Sequence, residues 1–155
     1  MTDLTDLLLP ETVFERLLVA NKKMLFQQLA VAAAAAYDLD AGEIAERLVA
    51  REKLGSTGFG GGIATPHARV PGLNHVVGVF AKLGHPIEFQ AVDDLPVDIV
   101  FMLLSPVDAG AAHLKALARV SRQLRERGFV DKLRGAGSRD ALYALLTADE
   151  ARDAA

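Results

Sequence analysis

PVDIVFMLLSPVDAGAAHLKALARVSRQL, residues 96–124, joins two patterns that belong to different kinds of secondary structure. Residues 97–104 are almost continuously apolar and rich in β-branched side chains, as expected for a central strand buried on both faces. From residue 109 to about 127 the period changes. Leu114, Leu117, Ser121 and Leu124 recur at helical spacing, with Lys115, Arg119 and Arg122 on the opposite side. A buried strand feeding an amphipathic helix is a building unit of α/β folds.

Working outward, residues 63–68 and 76–83 are short β-branched runs bounded by Gly, Pro and Asn, and they are expected as further strands. Upstream, Asn21 is placed to cap a helix carrying Leu25, Leu29, Ala32, Ala33 and Ala36. Asp40 with Glu43 resembles a capping box that opens a second helix through Ile44 and Leu48. Downstream, Gly128 is expected to end the long helix, a short helix follows at 129–133, and Ser138 caps a last one bearing Leu142, Leu145 and Leu146. Residues 84–96 read as an irregular connection or a hairpin. The fold class is α/β: one domain over residues 1–155, with helices packed on a small sheet and frayed ends at 1–10 and 151–155.

With 155 residues, 51% hydrophobic and 24% charged, the chain can bury one real core and is not wholesale disordered. A formal net charge of −3 gives no general attraction for nucleic acid or an anionic membrane. The absence of cysteine rules out disulfides and thiolate metal sites. The first residues lack a basic n-region, and the longest apolar run, 29–36, is too short to span a bilayer, so neither a secretory signal nor stable membrane insertion is expected. A cytoplasmic location is the expectation.

The chemistry concentrates in REKLGSTGFGGGIATPHAR, residues 51–69. Glycines tolerate positive φ, and successive N–H groups in such a loop can form an anion cradle, so Gly60, Gly61 and Gly62, with Ser56, are candidates to bind a phosphoryl group. Pro66 stiffens the segment and delivers His67 at a strand end. Nucleotide motifs fail: no Lys-Ser/Thr pair follows Gly62, and Ile63 stands where a dinucleotide fingerprint needs glycine. Neither Ser56 nor Ser105 lies in a G-x-S-x-G elbow. His67, His75, His85 and His113 show no short two-histidine spacing, so neither a metal nor another cofactor is expected. A histidine that accepts a phosphoryl group fits better, since a neutral imidazole nitrogen is a nucleophile and transfer needs mainly positioning and charge stabilisation. His113, near the start of the long helix, is either a second site histidine or a helix-start residue satisfied locally. Arg51 either reaches the phosphoryl group or complements a helix C-terminus. His75 and His85 read as surface residues, and Lys115, Arg119 and Arg122 as a solvated face or a docking surface for an acidic partner.

These two segments resemble the enzyme IIA proteins of the bacterial phosphoenolpyruvate-dependent phosphotransferase system, of the fructose/mannitol/nitrogen type. The first matches an Arg-Glu start, a glycine loop and a Gly-Ile-Ala-x-Pro-His core; the second matches a buried strand followed by a helix that begins with His-Leu. The resemblance implies a mixed sheet flanked by helices on both faces, His67 as the phosphorylated residue, His113 as the partner that stabilises the group, and Arg51 as a supporting cation. It implies a small histidine phosphocarrier protein upstream. Downstream it implies either a IIB domain of a sugar permease or, for nitrogen-type regulators, targets such as potassium-transport systems and sensor kinases. The opening, with Leu7, Leu8, Leu9, Pro10 and Val13, resembles the nitrogen type. Thr65, Ala68 and Arg69 fall where that family varies, and Gly61 replaces a frequent Asn. A binding module that no longer uses phosphorylation is the alternative from another class.

Overall fold

The computed structural model describes residues 4–148, within which five helices surround one six-stranded mixed sheet. The strands are β1 (Val13–Leu17), β2 (Gly58–Gly60), β3 (Ile63–Ala64), β4 (His67–Arg69), β5 (Val77–Ile87) and β6 (Val97–Ser105). Their order is β1-β5-β6-β3-β2, and β4 continues along β6 beyond β3. β5 and β6 are antiparallel, whereas β1 runs parallel to β5, and both β3 and β4 run parallel to β6. The run expected as one strand at 63–68 is therefore two, interrupted at Thr65 and Pro66. Proline has no N–H to give the ladder, but its carbonyl still accepts from Leu103 N at 3.0 Å.

β6 alternates between two cores. Val100, Met102 and Leu104 face α1 (Lys22–Tyr37) and α2 (Ala41–Lys53), packing among Leu25, Leu29, Ile44 and Leu48. Ile99, Phe101 and Leu103 face α3 (Ala111–Leu124), α4 (Arg127–Gly135) and α5 (Arg139–Thr147). Both faces are covered, which explains why this strand carries no polar alternation. Each expected cap is made: Asn21 accepts from Met24 N, Asp40 from Glu43 N and Ser138 from Ala141 N.

Several expectations are corrected. β1 and β2 were not foreseen, and β5 runs on to Ile87, past the expected end at residue 83. Gly128 does not end a helix but sits in the first turn of α4, where its N–H donates to the N-cap Glu126. The buried stripe of α3 is His113, Ala116, Val120 and Leu124, rotated so that Leu114 is 64% exposed. The chain start is no frayed end over its described part: Leu4, Leu7 and Leu8 are buried, and Leu4 N donates to Leu146 O in α5. The expectation for 151–155 lies outside the described residues.

Candidate functional site

At the carboxyl end of β6, three elements bring their ends together. β4 pairs His67 with Leu103, α2 ends in a turn that carries Arg51, and α3 begins with His113 in its first turn. A cavity of about 530 Å³ is lined by Arg51, His67, Arg69 and His113, with the exposed Leu54 and Leu114 among its rim residues. Openings outside the carboxyl ends of strands are where open α/β sheets place their sites.

The surroundings of His67 determine its tautomer. Nδ1 lies 2.9 Å from Thr65 O, and a carbonyl oxygen can only accept, so Nδ1 carries the proton. The lone pair therefore belongs to Nε2, to which Arg51 Nε donates at 3.2 Å. The same guanidinium donates from Nη1 to Gly55 O at 2.8 Å, so two of its three nitrogens are held. Burial, helped by the Arg51 charge and opposed by the Thr65 hydrogen bond, holds the imidazole below the ordinary histidine value and keeps it neutral.

His113 stands beside it, ring centroids 5.4 Å apart and tilted by 54°. Its Nδ1 lies 2.6 Å from the Oγ of Ser105, the fully buried last residue of β6. Burial first, then the repulsion that two protonated rings would share with His67 and the charge of Arg69, lower its pKa as well. The pair thus offers a nucleophilic nitrogen, a neighbouring imidazole and two guanidinium groups, a set suited to a small dianionic group.

The glycines expected to cradle the group lie elsewhere. Gly60, Gly61 and Gly62 all have positive φ, and they turn the chain from β2 to β3. Ile63 pairs with Ile99, four residues before the Leu103 that faces His67, which puts the glycines about 13 Å away along β6. Gly61 N donates to Asp93, and Gly61 O accepts from Arg134, which also forms a two-pronged pair with Asp98. The Gly61 N–H is thus already taken, and Gly60 and Gly61 line a second cavity with Asp93 and Arg125. Ser56 Oγ accepts from Gly58 N, a local turn contact. Glycine density gave a sound reading of backbone conformation but could not say at which end of the sheet it would fall. His75 and His85 are exposed. Among the described residues, no group of three or more His, Asp or Glu side chains is placed to hold a metal, and no helix is long and apolar enough to cross a membrane.

The sequence model of the family described as "Phosphoenolpyruvate-dependent sugar phosphotransferase system, EIIA 2" matches residues 6–149. The chain belongs to this EIIA family. A nitrogen regulatory protein of Bradyrhizobium diazoefficiens is 45% identical over 143 residues, covering 92% of this chain and 94% of that one. Another from Pseudomonas aeruginosa is 42% identical over 127 residues, 81% of this chain and 82% of that one. Among solved structures, nitrogen regulatory protein IIA-Ntr of Neisseria meningitidis superposes with a TM-score of 0.86 at 32% identity, covering 92% and 97% of the two chains. Mannitol IIA of Escherichia coli, in its complex with phosphorylated IIB, shares the EIIA fold at a TM-score of 0.76 and 19% identity, over 92% of this chain and 98% of that one. The mixed sheet covered by helices on both faces, expected from the resemblance, is the fold these EIIA relatives share.

Proposed function

We propose that this EIIA chain is a phosphohistidine carrier whose charged and uncharged forms regulate partner proteins, with His67 as the acceptor, His113 as the stabilising neighbour and Arg51 as the supporting cation. The observation that carries it is the Nδ1–H bond to Thr65 O, which leaves the Nε2 lone pair facing a guanidinium. In the step proposed, that lone pair attacks the phosphorus of a phosphohistidine on a small phosphocarrier protein. The new N–P bond forms as the donor's N–P bond breaks, its electron pair returning to the donor imidazole. His67 keeps its Nδ1 proton, and the Thr65 carbonyl offsets the positive charge that grows on the ring. Arg51 exchanges the lone pair for a phosphoryl oxygen. No metal or other cofactor enters this step, and we place it in the cytoplasm.

The close relatives named as nitrogen regulatory proteins favour regulation as the output, through targets such as potassium-transport systems or a sensor kinase. A phosphoryl group adds about −1.5 to −2 charges, enough to change docking at the site's rim. A second reading, a sugar-transport component that passes its phosphoryl group to a IIB domain, draws on a fructose-specific EIIA component of Haloferax volcanii, 36% identical over 114 residues.

The test is intact-protein mass spectrometry after incubation with phosphoenolpyruvate and the two upstream phosphotransfer proteins. One acid-labile adduct is expected on the wild type and none on His67→Ala. Full labelling of His67→Ala overturns the assignment, and absence of label on wild type, with active donors, favours a plain binding module. Transfer to a purified IIB domain marks the sugar-transport reading.

A further inference from the structure

We infer that Ser105 is a positioning residue that sets His113 as the Nε2–H tautomer, so that a neutral His113 donates a hydrogen bond to the phosphoryl group on His67. The inference rests on the phosphocarrier reading above and extends it to the second histidine.

The argument is one of hydrogen-bond accounting. Ser105 is fully buried, and its carbonyl is occupied by Val70 N at 2.9 Å. A hydroxyl has one proton to give, and a buried donor left without an acceptor is costly. Among the described residues, the hydroxyl's one partner is His113 Nδ1, at 2.6 Å. Were Nδ1 the donor, the serine proton would point into a dry interior with nothing to receive it. With the hydroxyl donating, every group is satisfied. Nδ1 is then the acceptor, and the ring proton must sit on Nε2.

The neighbouring rings are thus set oppositely by their Nδ1 partners. A carbonyl makes His67 a lone-pair donor at Nε2, and a hydroxyl makes His113 a proton donor at Nε2. The placement has a chemical consequence. Burial first, and then the charge of Arg69, disfavour a cationic His113. An imidazole that had to be protonated before it could donate would work against that environment; a tautomer with Nε2–H does not need the extra proton. Among the described residues Ser105 Oγ hydrogen-bonds His113 alone, so its effect passes through His113.

Long-range 1H–15N correlation NMR on the unphosphorylated protein, above the histidine titration range, reads the tautomers directly. The wild type is expected to show His113 as Nε2–H and His67 as Nδ1–H, with peaks assigned by single histidine substitutions. In Ser105→Ala the His113 signal is expected to move toward a tautomer mixture while His67 is unchanged. Ser105→Thr, which keeps the hydroxyl, retains the wild-type pattern. On the phosphorylated protein, Ser105→Ala is expected to shorten the adduct lifetime about tenfold, the scale of one charge-assisted hydrogen bond. An Nδ1–H tautomer for wild-type His113, or an unaltered tautomer and lifetime in a folded Ser105→Ala, overturns the inference. The NMR result stands whether or not the protein accepts phosphate, whereas a missing adduct on wild type overturns the carrier reading alone.

Discussion

His67 and His113 are held neutral by the same cause, burial at the edge of a packed sheet, and that ties the site to stability. Both folded-state pKa values are depressed, so as pH falls through about 6.5 the unfolded chain takes up protons first. Their contribution is therefore constant above that range and becomes destabilising below it. Urea unfolding at about pH 7.5 and 5.5 should show a loss of stability on acidification, and the loss should shrink in His67→Asn/His113→Asn. An unchanged slope in the double variant would mean that other groups govern the acid limb. His67 and His113 could be singled out as candidates because a rigid Pro-His step and a His-Leu helix start are local signals, whereas where the glycine loop would fall was not readable. Ser105 was not legible either, since a serine closing an apolar strand acquires meaning only when the helix after it folds back.

At the scale of elements, the turn between α2 and β2 depends on a carboxylate, Glu52, to which the sequence reading gave no role beyond the Arg-Glu start. Glu52 is nearly buried, accepts from Thr57 N and from Thr57 Oγ1 at 2.7 Å, and pairs with Lys22 Nζ at 3.0 Å. Lys22 in turn lies over the Phe89 ring. Glu52 thus fastens the last turn of α2, next to Arg51, to the residue that leads into β2 and to the first turn of α1. Glu52→Ala strips partners from a buried amide, a hydroxyl and an ammonium, and is expected to cost about 3 kcal/mol in chemical denaturation. A cost under about 1 kcal/mol would reduce the network to surface decoration. The helix caps were readable because an Asn, Asp or Ser answers to N–H groups two or three residues away. β1 was not, because Glu15 and Arg16 break its apolar pattern and its pairing partner, β5, lies more than sixty residues on. β2 was hidden by its glycines, one of which is required: a Cβ on Gly58 would stand 2.8 Å from Ala91 Cβ and 2.9 Å from Phe89. In α3, Ala116 and Val120 form an apolar stripe beside that of Leu114 and Leu117, and only packing decides which faces inward.

For the whole molecule, the leading segment belongs to the second core. Leu4, Leu7 and Leu8 pack among Leu142 and Leu146, Gly78 N donates to Leu7 O at 2.7 Å, and Tyr37 from the opposite layer donates to Gly78 O. Losing a buried leucine costs about 2–5 kcal/mol, against a total stability of about 5–15 kcal/mol for a typical domain. Deleting residues 1–8 is therefore expected to abolish the cooperative calorimetric transition, and a retained transition near the full-length midpoint would show that the sheet stands without that segment. The two helical layers have separate cores, and Arg51 comes from one layer while His113 comes from the other. A small dianion gripped by both is a rivet through the seam of the sandwich. Under the proposed phosphorylation such a clamp is expected to stiffen the molecule as well as mark it, so that a partner leaning on both layers would respond even where it never touches the phosphoryl group.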